Sequence, residues 1–97
     1  MGRRRIIGLL LFLSLACFGE GIIGTWKNRN VTYYFYKNKT GAVEDQIEGD
    51  SITHWEIKGD KIYYRIEGPW NDLDSMSLKF INNNVILING YMFKRKI

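Results

Sequence analysis

Few residues in this chain have the type and spacing to do chemistry. His54 is the only histidine, and it sits in a strand-like run between Thr53 and Trp55. Nucleophilic or general-base catalysis needs a nucleophile and an orienting group within hydrogen-bond reach of such a residue. No triad motif supplies them, so a solvated surface histidine is expected, in a protein that is not an enzyme. Asn71-Asp72-Leu73-Asp74, with Glu67 upstream, carries oxygen ligands of the kind calcium takes. It lacks the twelve-residue spacing, central glycine and terminal glutamate of an EF-hand loop. An ordinary polar loop, capped by its own asparagine and aspartate, is expected instead, with no metal or cofactor. Cys17 is the single cysteine, so no intrachain disulfide can form.

Three aromatic residues remain as candidates for recognition. Trp70 follows Gly68-Pro69 in the least regular part of the chain. It either folds back as a hydrophobic plug or stands exposed, as tryptophan anchors at interfaces do. Tyr34 and Tyr36 alternate with Val31, Tyr33 and Phe35, so their strand is aromatic on both faces. The second face is either a solvent-facing product of strand propensity or a surface for a partner.

The elements that must position these residues are strands. Residues 53–66 hold two runs rich in β-branched and aromatic residues around Gly59-Asp60, a favoured two-residue hairpin turn. That turn sets Lys58 opposite Lys61, Ile57 opposite Ile62, Trp55 opposite Tyr64 and Thr53 opposite Ile66. The last three pairs share an apolar face, and His54, Glu56, Tyr63 and Arg65 share a mostly polar one. Upstream, Gly24-Thr25-Trp26-Lys27 reads as a first strand and residues 31–37 as a second. Asn38-Lys39-Thr40-Gly41 reads as a type I turn, residues 42–47 as a weak strand, and Glu48-Gly49-Asp50 as the next turn. Downstream, Met76, Leu78 and Phe80 alternate with polar residues. A three-residue loop at Asn82-Asn83-Asn84 brings Ile86 and Ile88 beside Phe80 and Leu78, and Asn89-Gly90 is a strong hairpin signal. The pattern predicts an all-β fold, an antiparallel up-and-down meander of seven or eight short strands curled into a small barrel or half-barrel. Large inward side chains, Trp55, Tyr64, Phe80 and Phe93, favour a filled interior over a roomy cup.

The first residues are of a different kind. Arg3, Arg4 and Arg5 precede a continuous apolar run over residues 6–16, ending at the small residue Ala16. A basic segment, a short apolar segment and a small-residue boundary are the parts of a secretory signal, and the run is shorter than the ~20 residues a membrane-spanning helix needs. Of the 97 residues, 14 are basic and 10 acidic, giving a formal charge of +4. Setting Arg3, Arg4 and Arg5 aside leaves 11 basic against 10 acidic residues. The domain itself is thus near +1, and a nucleic-acid partner, which needs a basic patch to neutralise phosphates, is not expected.

Leu13-Ser14-Leu15-Ala16-Cys17 resembles the lipobox of bacterial lipoproteins, in which the cysteine is acylated and becomes the mature N-terminus; Ser14 stands where leucine is more usual. Ordinary cleavage a few residues later, after Gly19, is the alternative. Gly24-Thr25-Trp26, Phe35 through Gly41, Trp55-Glu56-Ile57 before Gly59-Asp60, and Phe93-Lys94-Arg95-Lys96 resemble the small lipocalin-like domains of uncharacterised bacterial lipoproteins. The resemblance implies a signal over residues 1–16, a tether over 17–23 and a lipocalin-like β domain over 24–97. It also implies that the Gly-x-Trp tryptophan, here Trp26, packs beneath a basic residue of the last strand, here Arg95, closing one end of the barrel. Lys94 or Lys96 would take that place if the register slipped by one. The expected function is an exported, membrane-anchored binding module of the cell envelope, periplasmic or surface-facing, with a small hydrophobic ligand or an envelope protein as partner. The alternative is an assembly accessory that docks through the Tyr34/Tyr36 face.

Overall fold

The computed structural model describes residues 21–68 and 72–96. The signal-like segment, Cys17 and Trp70 lie outside the described residues. The chain forms eight antiparallel strands in sequence order: β1 Gly24–Lys27, β2 Thr32–Phe35, β3 Gly41–Glu44, β4 Gly49–Lys58, β5 Lys61–Ile66, β6 Leu73–Asn82, β7 Val85–Ile88 and β8 Tyr91–Arg95. The meander closes completely. β8 returns to β1 through the pairs Trp26↔Arg95 and Lys27↔Lys94, making a barrel with no free edge.

Both predicted hairpins form in the expected register. Lys58 pairs with Lys61 and Trp55 with Tyr64 across Gly59-Asp60, and Ile88 pairs with Tyr91 across Asn89-Gly90. Asn89 and Gly90 both take positive φ, 52° and 82°, the left-handed geometry that matches the twist of the strands.

The register breaks where strict alternation would waste apolar surface. Thr53 does not oppose Ile66: a β-bulge between Ile52 and His54 sets Ile52 against Ile66 instead. Alternation from Trp55 would have turned Ile52 outward. The bulge turns it in, where it is 1% exposed, and leaves Thr53 on the surface. Burying an isoleucine is worth about 1.5–3 kcal/mol, more than the roughly 0.5–1.5 kcal/mol of one ladder hydrogen bond. A second bulge, between Phe80 and Asn82, lets Asn82 pair with Val85, so the expected three-residue loop is a two-residue turn at Asn83-Asn84. Leu78 still meets Ile88, and Phe80 still meets Ile86.

Two turns also shift. The second strand stops at Phe35, and the turn spans Tyr36 to Lys39, with Lys39 N–H donating to the Tyr36 carbonyl at 3.1 Å and Lys39 at φ 70°. Gly41 is therefore a strand residue, and a Cβ there would overlap the Tyr34 carbonyl oxygen. β3 ends at Glu44, not at Ile47. The Asp45 carboxylate accepts the backbone N–H groups of Ile47 and Glu48, both at 2.8 Å, and this Asx-type turn ends the strand and leaves Ile47 93% exposed.

The interior is filled. Trp26, Phe35, Ile52, Trp55, Ile62 and Ile86 are essentially inaccessible, with Tyr33, Tyr64 and Phe80 packed against them. Aromatic rings run up the inside. Trp55 meets Phe35 edge-on at 5.5 Å, Phe35 stacks on Tyr33 at 5.8 Å, and Tyr33 meets Phe93 edge-on at 5.2 Å. The Trp55 indole N–H donates to the Thr40 carbonyl at 2.7 Å, so its burial leaves no donor unpaired. Ile22, expected within a tether, is fully buried in the same core.

Candidate functional site

An up-and-down barrel has two unlike ends, and the sequence decorates them differently. One end receives the chain at Gly24 and holds the β2–β3, β4–β5 and β6–β7 turns and the end of β8. It is closed by Trp26 and Arg95. The Arg95 guanidinium lies 4.2 Å over the Trp26 ring, while its N–H groups donate to the carbonyls of Ile23 at 2.8 Å, Gly21 at 2.5 Å and Asn83 at 3.0 Å. Trp26 Nε1–H donates to the Ile22 carbonyl at 2.8 Å. One arginine thus ties together the first strand, the segment before it and the β6–β7 turn. Gly24 serves this contact: it takes φ 133°, and a Cβ there would come within 2.9 Å of Arg95 Nη1. Lys94 is exposed and Arg95 half-buried, so the basic residue over Trp26 is Arg95, with no slip of register.

The opposite end is the mouth, and it holds a cleft of about 350 Å³ between the β1–β2 loop and the β7–β8 turn. Val31, Tyr33, Ile88 and Phe93 form its apolar floor, and Asn28, Asn30, Asn89 and Tyr91 its rim. The rim is set by local chemistry. Asn28 Oδ1 accepts the N–H groups of Asn30 and Val31 at 2.9 and 2.8 Å, folding the loop over the end of β2. Asn89 Oδ1 accepts the Ser77 N–H at 3.0 Å, pinning the turn to β6. The carbonyl side of each amide is spent on the backbone, so the NH₂ groups are the donors with capacity left. Burial raises the Tyr33 phenol above its usual pKa, so it stays a protonated donor at neutral pH. Tyr91 is 70% exposed. Aromatic faces, aliphatic floor and amide donors, without a charged lining residue, suit a small uncharged ligand that is partly apolar.

The sequence-derived candidates fall in separate places. Tyr34 and Tyr36 do share the outer face, with ring centroids 6.5 Å apart, although Tyr36 lies past the end of its strand. Tyr34 donates to Glu44 at 2.5 Å, and that hydrogen bond, chiefly, raises its pKa. Trp70 lies outside the described residues; its flanking residues Gly68 and Asp72 close the loop that joins β5 to β6 at the mouth end. His54 is exposed on the outer wall, 3.1 Å from Glu56. Asp74 accepts the Ser75 N–H at 2.8 Å and faces the Tyr64 hydroxyl at 3.4 Å; burial and then Asp74 raise the Tyr64 pKa. Among the described residues no three His, Cys, Asp or Glu side chains are grouped to hold a metal.

Asn28, Asn30, Asn89 and Tyr91 were legible only as turn and strand formers. The available signal was that two asparagine-bearing turns fall at the same end once the strands are counted. Compared with known proteins, the chain matches no family model, no curated protein and no solved structure.

Proposed function

We propose that this chain is an exported, non-enzymatic binding module of the bacterial cell envelope, anchored by lipid at Cys17. The signal-like segment and lipobox resemblance support the anchor, and the closed barrel is compatible with the lipocalin-like resemblance. The observation that carries the binding role is the mouth cleft. A barrel whose interior is filled takes a ligand at its rim or on its outer wall, and this rim offers about 350 Å³, above the roughly 300 Å³ that small-molecule sites start from. Titration of the purified protein with neutral aromatic and saccharide fragments tests this. The side-chain amide NMR signals of Asn28, Asn30 and Asn89 should shift first, and Tyr91→Ala should abolish the shifts without unfolding the barrel. Shifts confined to the outer wall around Tyr34 would move recognition away from the cleft.

That second site has its own support. Tyr36 is 49% exposed beside Tyr34, a paired aromatic surface that the core does not use. An assembly accessory docking an envelope protein there is the alternative. Tyr34→Ser/Tyr36→Ser should then lose a crosslink to that partner which Tyr91→Ala keeps.

A further inference from the structure

The near-neutral domain conceals a strong separation of charge along the barrel axis. At the closed end, Lys37 and Lys39 sit in the β2–β3 turn, and Lys58 and Lys61 flank Gly59-Asp60. Lys94, Arg95 and Lys96 lie at the end of β8 on the same side, where among the described residues Asp60 is the only carboxylate in or beside a turn. At the mouth the balance reverses. Glu44, Asp45, Glu48 and Asp50 surround the β3–β4 turn, and Glu67, Asp72 and Asp74 the β5–β6 loop, against Lys27, Arg29 and Arg65. The closed-end lysines are all exposed, and among the described residues none is held in a salt bridge. Lys39 and Lys58 are instead splayed over Trp55 and Tyr63, at 4.4 and 6.0 Å. Two exposed apolar side chains stand among these cations, Tyr36 and Ile81, each 49% exposed. Ile47 and Leu73 are at least as exposed at the mouth, but they stand among carboxylates.

The geometry points to the closed end as a docking surface for an anionic lipid bilayer, with the acidic mouth held away from it. Charge complementarity selects the surface: basic residues near an anionic leaflet are each worth about 1 kcal/mol, within a Debye length of it. The path of the chain agrees. Gly21 leaves the barrel at this same end, tied there by Arg95, and Cys17 precedes it by four residues. Even fully extended, that link spans at most about 14 Å, one to two Debye lengths at physiological salt. The inference rests on membrane anchoring only for proximity; the charge separation belongs to the barrel.

The test uses the full chain carrying Cys17→Ser, so that an introduced cysteine is the only thiol and lipidation is not required. A fluorophore is placed at Asn83→Cys on the closed end or at Ile47→Cys on the mouth. Energy transfer to a headgroup acceptor is measured on phosphatidylcholine vesicles with and without phosphatidylglycerol. Added phosphatidylglycerol should increase transfer from position 83 and not from position 47. Lys37→Glu/Lys61→Glu should remove that increase, lowering the docked-to-undocked ratio by at least about 30-fold, the effect of two lost surface cations before the two added carboxylates are counted. Lys27→Glu/Arg29→Glu, the same charge change at the mouth, should leave it intact. Equal transfer on both vesicle types, or equal loss in both double variants, would overturn the proposal. Binding to phosphatidylcholine alone reports the apolar run over residues 6–16, which the Cys17→Ser chain keeps, and the loss in Lys37→Glu/Lys61→Glu reports the basic end, so either can fail without the other.

Discussion

Replacing Arg95 by methionine keeps most of the aliphatic stem over Trp26 and removes the guanidinium. Three carbonyls then lose their donor. That of Asn83 is exposed and water replaces the lost bond, but those of Gly21 and Ile23 are partly buried. Leaving buried acceptors unpaired costs about 1–3 kcal/mol, and the cation–π contact at 4.2 Å adds about 0.5–2 kcal/mol. Because one side chain makes all of these contacts, the terms overlap, and a total loss of about 3 kcal/mol is expected. Urea melts followed by far-ultraviolet circular dichroism measure it, since guanidinium chloride would screen the interaction under test. Arg95→Lys keeps the charge but not the fork of donors and should recover less than half. Lys94→Met, one residue away and exposed, should change stability by less than about 0.5 kcal/mol. Equal losses for Arg95→Met and Lys94→Met, or a loss below about 1 kcal/mol for Arg95→Met, would show that closure does not depend on this contact.

Trp55→Ala should cost about 3–5 kcal/mol, while His54→Ala on the outer wall should cost less than about 0.5 kcal/mol in the same melts. Cys17→Ser should release the domain from the membrane fraction without unfolding it, and mass spectrometry of the wild type should find an acylated N-terminal cysteine; an unmodified N-terminus beyond Gly19 would refute the anchor. The pKa values of Tyr33 and Tyr64 are raised by burial. Their stabilisation is therefore complete below the unfolded phenol value of about 10 and is lost as pH rises through the folded values, so Tyr33→Phe should flatten the alkaline limb of the stability profile. Asp45 is shifted down by the N–H groups of Glu48 and Ile47. Its contribution is present above the unfolded aspartate value of about 3.9 and fades as pH falls, and Asp45→Ala should remove that acid-side slope.

Hairpins were legible because their signals are local. Gly59-Asp60 and Asn89-Gly90 each name a turn, and the alternating residues beside them carry the register with no knowledge of the rest. The bulges were not legible, because each settles a competition between distant surfaces. Nothing near Thr53 states that Ile52 is needed inside; that demand comes from the common core, which Ile52 joins with residues as distant in the chain as Ile22 and Phe93. Ile47 shows the reverse case. Its β-branched side chain argued for strand, but Asp45 offered the backbone a competing set of hydrogen bonds, and the local cap won. The mouth cleft was hidden for a further reason. Asn28 and Asn89 are 61 positions apart in the chain and meet only because the barrel closes.

Closure also explains why the two ends came to differ. With eight strands joined in order, an even number returns the chain to the end where β1 began, so the start of β1 and the end of β8 lie together. The terminal segments must then be secured at that end, and Arg95 does so by reaching from the last strand to Gly21 and Ile23. A cation needed there for closure makes the end a favourable place for further cations only if something opposes their mutual repulsion. Lys39 over Trp55 and Lys58 near Tyr63 offset part of it within the barrel, and an anionic surface would offset the rest. The mouth holds neither the start of β1 nor the end of β8 and is under none of this constraint. Its loops can change without disturbing the closing contact, which is why the residues free to meet a ligand, Asn30 and Tyr91 among them, stand at the end farthest from Arg95.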